Sequence, residues 1–533
     1  MVSMDGIIIN GVKQRFFVIL AAAFLLGRFF ACSAYALGRP ENVLVVQNGS
    51  SAVSMRVASY YMQRRCVPES NLFTVYTADA ASDSANQVIP LADYYSSIEQ
   101  PIRSYLAANG MADSIQYIVL TKGIPHIVSN DPLGGPYGPR SVDSLLAAMD
   151  LVNPLIVDLT DESGYLGTVA INRYWRAQEP FTHAKFGGYL VTRLDGYTES
   201  DAKSLVDRSL AEQTMPYRVL LDVDPNFGLG VPDAQPKSIL TSSGEIDPDY
   251  SLYYDDFNAD MIHASQIAAG RRHLSVELEN TTSFVSGAGQ LSIYFSWGSN
   301  DHHYDAANYH AINFAYGGVA ETAVSTSART FYTTSGGQSL IADLISQGAA
   351  GAKGYATEPF LDAVASPTVF VDLFSSGRNL AESYYAASRF LAWKDVVIGD
   401  PLCCLTGMQA ASISDAKSYA DGTLVSIVGK KVTAGTDAFG DRFYIEEDDR
   451  SSGIQVYLGG MFLGISEGSV VTVRGVLAVK DGERVIVNAS LISSGMPVSR
   501  SINTSTSNTP VKNMVKPKLF VRRVMGWLDY HRN

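Results

Sequence analysis

Between residues 40 and 405 short, unbroken apolar runs alternate with stretches long enough for a helix, and this rhythm constrains the fold more than any other feature. Val43-Leu44-Val45-Val46, Leu72 to Tyr76 and Tyr117-Ile118-Val119-Leu120 read as strands. Ala52 to Arg65 reads as a helix stopped by Pro68, and a second from about Leu91 to Ala108 ends at Asn109-Gly110. Strands without polar alternation are buried on both faces. With helices between them they pair in parallel, so the fold class is α/β, a mainly parallel sheet with helices on both faces.

The pattern then repeats. Gly188 to Leu194, Arg218 to Val223, Leu291 to Trp297, Val319 to Ser325, Ala349 to Tyr355 and Val396 to Ile398 read as further strands. Helices are expected over Ser200 to Glu212, Ser339 to Ser346 and Leu380 to Leu391. Residues 40–405 thus form one large α/β unit, or two similar halves. From residue 411 the helical period is lost. Thr423 to Val428, Arg442 to Ile445, Gly453 to Leu458, Ser469 to Val476 and Arg484 to Val487 predict five strands in residues 411–500, which suits a small closed barrel.

The ends carry different signals. Lys13 and Arg15 precede the apolar run Phe16 to Gly27, and Ala34-Tyr35-Ala36 is a small-x-small site, so residues 1–36 read as a signal peptide and the chain as exported to the periplasm, cell surface or medium. Arg28 and Phe29-Phe30 leave an uncleaved anchor open, and Cys32 a lipoprotein. After cleavage Cys66, Cys403 and Cys404 remain. An oxidising compartment permits Cys66 to pair with either of the others; buried apolar cysteines are the alternative. Residues 501–533 read as a polar linker and a basic tail. In the tail Lys512, Lys516, Lys518, Arg522, Arg523 and Arg532 stand against Asp529, and a helical face of Val521, Val524, Met525 and Leu528 fits peripheral contact with an anionic membrane or a solvated end.

A net charge of −13 argues against nucleic acid as a partner, because phosphate tracking needs basic surface. Several peptides carry a resemblance. They include YIVLTKGIP at Tyr117 to Pro125, YLVTRLDG at Tyr189 to Gly196, WGSND at Trp297 to Asp301, AETAVSTSARTF at Ala320 to Phe331, KGYATEP at Lys353 to Pro359 and VVIGDPL at Val396 to Leu402. Taken in order, they resemble an uncharacterised family of exported bacterial proteins, a likeness that implies kinship without a reaction.

A more distant resemblance is to the caspase-like cysteine peptidases, gingipains in particular. In those proteins one strand ends in a His-Gly pair and the next at the nucleophilic cysteine, and the domain closes near a Gly-Asp-Pro. Here Phe295 to Ser299 stands at the His-Gly strand end, Val324 to Ser327 at the cysteine strand end, and Gly399-Asp400-Pro401 at the close. Trp297 replaces the histidine and Ser327 or a neighbour the cysteine. Indole is a donor only and accepts no proton from a nucleophile. The resemblance therefore implies a domain without the Cys/His pair.

The barrel region, through FYIEEDDRSSGIQV at Phe443 to Val456 and EGSVVTVRG at Glu467 to Gly475, resembles an OB-fold module. Its nine Lys/Arg against eleven Asp/Glu, with Glu446, Glu447, Asp448 and Asp449 expected amid the binding strands, disfavour phosphate ligands.

Candidate chemistry gathers at strand ends, where parallel α/β sheets place their ligands. Asp301, His302 and His303 follow the strand ending at Trp297, and a histidine there suits a general base for Ser325 or Ser327. Asp301 as a turn cap is the alternative. Asp143 and Asp195, with Asp301, form a candidate acidic pocket for a cation; a helix N-terminus and an Asp-Gly turn are their ordinary roles. Lys122 and Arg193 are candidate anion ligands or internal partners of an acid. The loop Gly134 to Gly138 lacks a phosphate-binding fingerprint, and the sequence names no cofactor.

Three readings follow. The first is an exported, non-catalytic domain binding a peptide or envelope component. The second is a hydrolase using Ser327 or Ser325 with His302 or His303. The third is a metal-dependent enzyme using Asp143, Asp195 and Asp301.

Overall fold

The computed structural model describes residues 39–161, 164–213, 215–228, 257–458 and 464–495. The leader, Cys32, the polar linker and the basic tail lie outside these residues.

The larger region is a mixed α/β layer structure on a ten-stranded, mainly parallel sheet. Its strands in chain order are β1 (Val43–Asn48), β2 (Leu72–Val75), β3 (Tyr117–Thr121), β4 (Leu190–Leu194), β5 (Arg218–Asp222), β6 (Ser275–Glu279), β7 (Leu291–Ser296), β8 (Phe314–Thr322), β9 (Gly351–Tyr355) and β10 (Asp395–Gly399). Across the sheet they run β6-β5-β7-β8-β9-β10-β4-β3-β1-β2. β1 to β4 and β5 to β8 are wound in the same spatial order, second-first-third-fourth, from each edge of the sheet toward its centre. β10 lies between the two sets. It is antiparallel to β9 over five residue pairs and bridged to β4 through Ile398 and Arg193.

The apolar runs explain the buried strands. Every residue of β3, β4 and β7 is buried, as both-face coverage requires. The helix Ala52–Arg65 starts at Ser51, whose hydroxyl accepts from Ser54 N–H, and ends where Cys66 turns left-handed at φ 56°. It packs on β1 and on the helix Glu199–Leu210, whose Thr198 and Asp201 form a capping box. Arg65, from the end of the first of these helices, forms a buried pair with Asp400 just after β10, at 2.5 Å.

Elements the sequence reading lacked are the half-exposed edge strand β6, the hairpin Ile156–Asp161 with Gly164–Ile171, and the helices Phe257–Gln266 and Pro367–Ser375. The helix expected from Leu380 to Leu391 stops at Ala386, and Phe390–Leu391 instead pairs with the hairpin.

A separate sheet follows. β11 (Leu424–Ala434), β12 (Arg442–Glu446), β13 (Gly453–Tyr457), β14 (Val470–Lys480) and β15 (Glu483–Gly495) run β11-β12-β13-β15-β14, and β14 pairs back onto β11. β13 and β15 are parallel; the other neighbours in this ring are antiparallel. It encloses its own core of Phe443, Ile445, Ile454, Val456, Val473 and Ile486. Glu447, Asp448 and Asp449 sit in the β12–β13 turn rather than amid the strands, because Glu447 N–H turns back to Ser452 O. Arg474 of β14 anchors the ring to the larger region. Buried to 1% exposure, it donates to Cys404 Sγ at 2.7 Å and Gly377 O at 3.0 Å.

Cys403 and Cys404 are buried thiols outside any disulfide. Cys66 is exposed and disulfide-bonded, so it is neither a buried apolar cysteine nor the partner of either thiol. No helix among the described residues is long and apolar enough to cross a membrane.

Candidate functional site

Apart from the serines, the predicted site residues fall into two clusters at strand ends. The first follows β3 and β4. Arg193, fully buried, donates from Nε to Asp143 Oδ1 at 3.1 Å and from Nη2 to Asp143 Oδ2 at 2.8 Å. Its Nη1 reaches Ile124 O at 2.7 Å and Asp195 Oδ2 at 3.5 Å. Lys122 Nζ donates to Asp195 Oδ1 at 3.0 Å and Gly196 O at 2.7 Å. Lys122, Asp143, Arg193 and Asp195 thus form one continuous buried chain of alternating charge. Such a chain is stable only when every member keeps its partner. Asp143 also stands in the first turn of the helix Val142–Ala147, and Asp195 accepts the Gly196 N–H of its Asp-Gly turn.

His126 closes this cluster. Burial first, then the positive Arg193, push its imidazole down to about 3, so the ring is neutral. Its Nε2 donates to Ala328 O at 3.0 Å. Ala328 belongs to the loop that leaves β8. In the same loop Tyr332 O–H donates to Ala80 O at 3.2 Å, and Lys122 lies 5.9 Å from its ring centroid. The loop therefore ties the end of β8 to the end of β3.

The second cluster follows β5 and β7. Trp297 is buried, stacked on Phe227 at 3.9 Å between centroids and edge-on to Phe257 at 5.2 Å. Its indole N–H donates to Asn258 Oδ1 at 2.7 Å, and Asn258 Nδ2 donates to Asp224 O and Gly228 O. Asp224 is fully buried and receives both the backbone N–H of His302 at 2.9 Å and its Nδ1 at 2.6 Å. Burial alone raises the Asp224 carboxyl, but bonds from His302 and Asn226 outweigh it and hold the group below its ordinary value. An ionised carboxylate only accepts, so Nδ1 carries the proton and Nε2 is left as a base on a half-exposed ring. His303 Nε2 meets Asn226 Nδ2 at 2.8 Å. Asp301 Oδ1 caps the turn by accepting His303 N–H at 2.6 Å, and burial raises its carboxyl.

The serines lie apart from this hydrogen-bonded network. Ser327 is fully buried, and its Oγ accepts Tyr355 N–H at 3.3 Å. A Cβ on Gly354 would stand 2.6 Å from that oxygen, so glycine makes the approach possible. Ser325 is half-buried, and its neighbour Thr326 is pinned through Gln338 to Asn300. Among the described residues no hydrogen bond joins Ser325 or Ser327 to His302 or His303. Nor is any group of three or more His, Cys, Asp or Glu placed to hold a metal ion. Asp143 and Asp195 both face Arg193, whereas Asp301 belongs to the other cluster.

Sequence reasoning missed Asp224, Asn226, Phe227 and Asn258. Asp224-Pro225-Asn226 directly follows a strand, the signal that led to Asp301, and would have exposed the first two.

No family model and no curated protein matches the sequence. A solved structure described as a protease superposes with a TM-score of 0.35 at 11% identity, over 87% of this chain and 98% of its own. At that level the likeness assigns neither a fold family nor a reaction to the chain.

Proposed function

We propose that the protein is an exported, non-catalytic binding protein, a caspase-like α/β domain without the Cys/His pair joined to an OB-type barrel. Its ligand is a peptide or a component of the envelope. The observation that carries the reading is Trp297, which fills the histidine position and is locked there by Phe227, Phe257 and Asn258. Ser327, at the nucleophile position, is turned inward onto Tyr355 N–H. The repeated second-first-third-fourth winding supports the caspase-like assignment, and the closed ring with its single parallel pair supports the OB type. Phe227, 43% exposed and edge-on to His302, gives the strand end an aromatic contact for a ligand.

The test has two arms. A fluorophosphonate ester and a mixed fluorogenic peptide pool, applied to the full chain, should give neither labelling nor turnover. Immobilised random peptides should bind, and Phe227→Ala should weaken them. Labelling that disappears in Ser325→Ala or Ser327→Ala would overturn the non-catalytic reading.

The Asp224–His302 pair favours a second reading. A buried carboxylate that fixes Nδ1 and leaves Nε2 free is the arrangement of a general base. In that case turnover, with loss in His302→Ala and Asp224→Asn, is the expected result of the same assay.

A further inference from the structure

Glu321 of β8, Lys353 and Tyr355 of β9 and Asp395 of β10 share one face of three adjacent strands. The register requires it. Glu321 pairs with Lys353 and Tyr355 with Asp395, and residues two apart in a strand point the same way. All four are buried, Glu321, Lys353 and Tyr355 completely, and Tyr355 belongs to an apolar cluster with Val169, Phe390 and Trp393. Two carboxyl groups thus face a single amine away from bulk water.

Lys353 Nζ donates to Tyr355 Oη at 3.0 Å and to Ala363 O at 2.8 Å, and it stands 2.7 Å from Asp395 Oδ1. That last contact lies outside hydrogen-bond geometry, so among the described residues neither Asp395 oxygen has a hydrogen-bond partner. Tyr355 O–H donates in turn to Glu321 Oε1 at 2.5 Å, while Glu321 Oε2 has no partner. The Tyr355 hydroxyl therefore links the amine to a carboxyl. Burial raises the Asp395 carboxyl, and it pushes Glu321 up to about 7. Separated charges are costly in such surroundings, which favours the form in which the ammonium has handed its proton to Asp395.

We propose that Lys353 and Asp395 join through an amide bond, a cross-link that the folded chain makes for itself between β9 and β10. In the neutral form both N–H bonds of the amine are committed to Tyr355 and Ala363, and its lone pair is left for Asp395. Nζ attacks Cγ of the protonated carboxyl and the C–N bond forms. One proton leaves Nζ through the Tyr355 hydroxyl to ionised Glu321, which returns it to the Asp395 hydroxyl as the C–O bond breaks. The products are one amide and one water. Glu321 and Tyr355 end unchanged, and no oxidant or other reactant is consumed. Holding amine and carboxyl in contact supplies the effective concentration that free side chains lack. The bond closes a loop of residues 353–395 and is independent of both readings of the strand-end clusters.

Mass spectrometry of the purified full chain, denatured after folding, reads the bond directly. The intact mass should fall short of the same residues unlinked by one water, and a tryptic digest should contain a branched peptide joining Lys353 to Asp395. Lys353→Met and Asp395→Ala should restore the missing water. Glu321→Gln, with native circular dichroism, should slow bonding by about a hundredfold, since a merely structural glutamate would leave the rate alone once the chain is folded. A full mass without the branched peptide overturns the proposal and leaves Lys353 and Asp395 as an ion pair. So does a deficit of one water that persists in Lys353→Met. Bonding at the wild-type rate in Glu321→Gln overturns the proton path. The wild-type mass and digest need no variant, so they decide the matter even if a substitution fails to fold.

Discussion

Arg193 grips Asp143 with two nitrogens while both side chains are shut away from water. Truncating one member of such a pair leaves the other as a buried, uncompensated charge. Asp143→Asn should therefore cost about 3–5 kcal/mol, measured as a shift in the urea midpoint. Asp195→Asn leaves the bidentate contact intact but takes the carboxylate from buried Lys122, 3.0 Å away, so its cost should be of the same order. A much smaller cost for Asp195→Asn would show that Lys122 does not depend on that carboxylate.

Trp297 is held by ring packing and by one hydrogen bond, and the two can be separated. Trp297→Ala removes both and should destabilise by about 3–5 kcal/mol. Trp297→Phe keeps the stack on Phe227 but removes the hydrogen bond to Asn258 Oδ1, for about 1–3 kcal/mol. Chemical denaturation of both variants checks the order.

At the end of β5 Asp222 is fully buried, with Oδ1 unpartnered, and burial pushes its carboxyl up to about 8. In the unfolded chain the group titrates near 3.9. Between about pH 4 and pH 8 the folded state keeps a proton that the unfolded state has lost. Its contribution to stability therefore falls as pH rises through that window and is level above it. Thermal midpoints from pH 5 to pH 8 should decline more steeply for the wild type than for Asp222→Asn. Parallel curves would assign the decline to other groups.

Loss of Arg474 should uncouple the ring of β11 to β15 from the larger region. In Arg474→Met the bonds to Cys404 and Gly377 disappear while the ring keeps its own core. Calorimetry should then resolve two transitions where the wild type gives one, or widen the interval between two already present.

The sequence showed the central strands because β3, β4 and β7 are apolar without interruption, a pattern that only burial on both faces allows. It hid β6, where Glu277 and Glu279 belong to an edge half open to water. It also hid the helix Pro367–Ser375, whose nine residues are all buried, so no polar face marks a period. The strand-end rule found Asp301, His302 and His303. It did not reveal that Asp224 holds His302 or that Arg193 joins Asp143 to Asp195. Those contacts bridge 78 and 50 residues of chain, and nothing local encodes them.

β10 is the last of the ten strands to leave the ribosome, yet it takes the place between β4 and β9. Until it arrives, both of those strands present unpaired backbone to each other and to any passing chain. The two sets of strands can wind separately, but the sheet cannot become continuous before residues 395–399 have been synthesised. The α/β region therefore stays open along one seam until nearly all of it has been made, and the insertion of one five-residue strand then closes it.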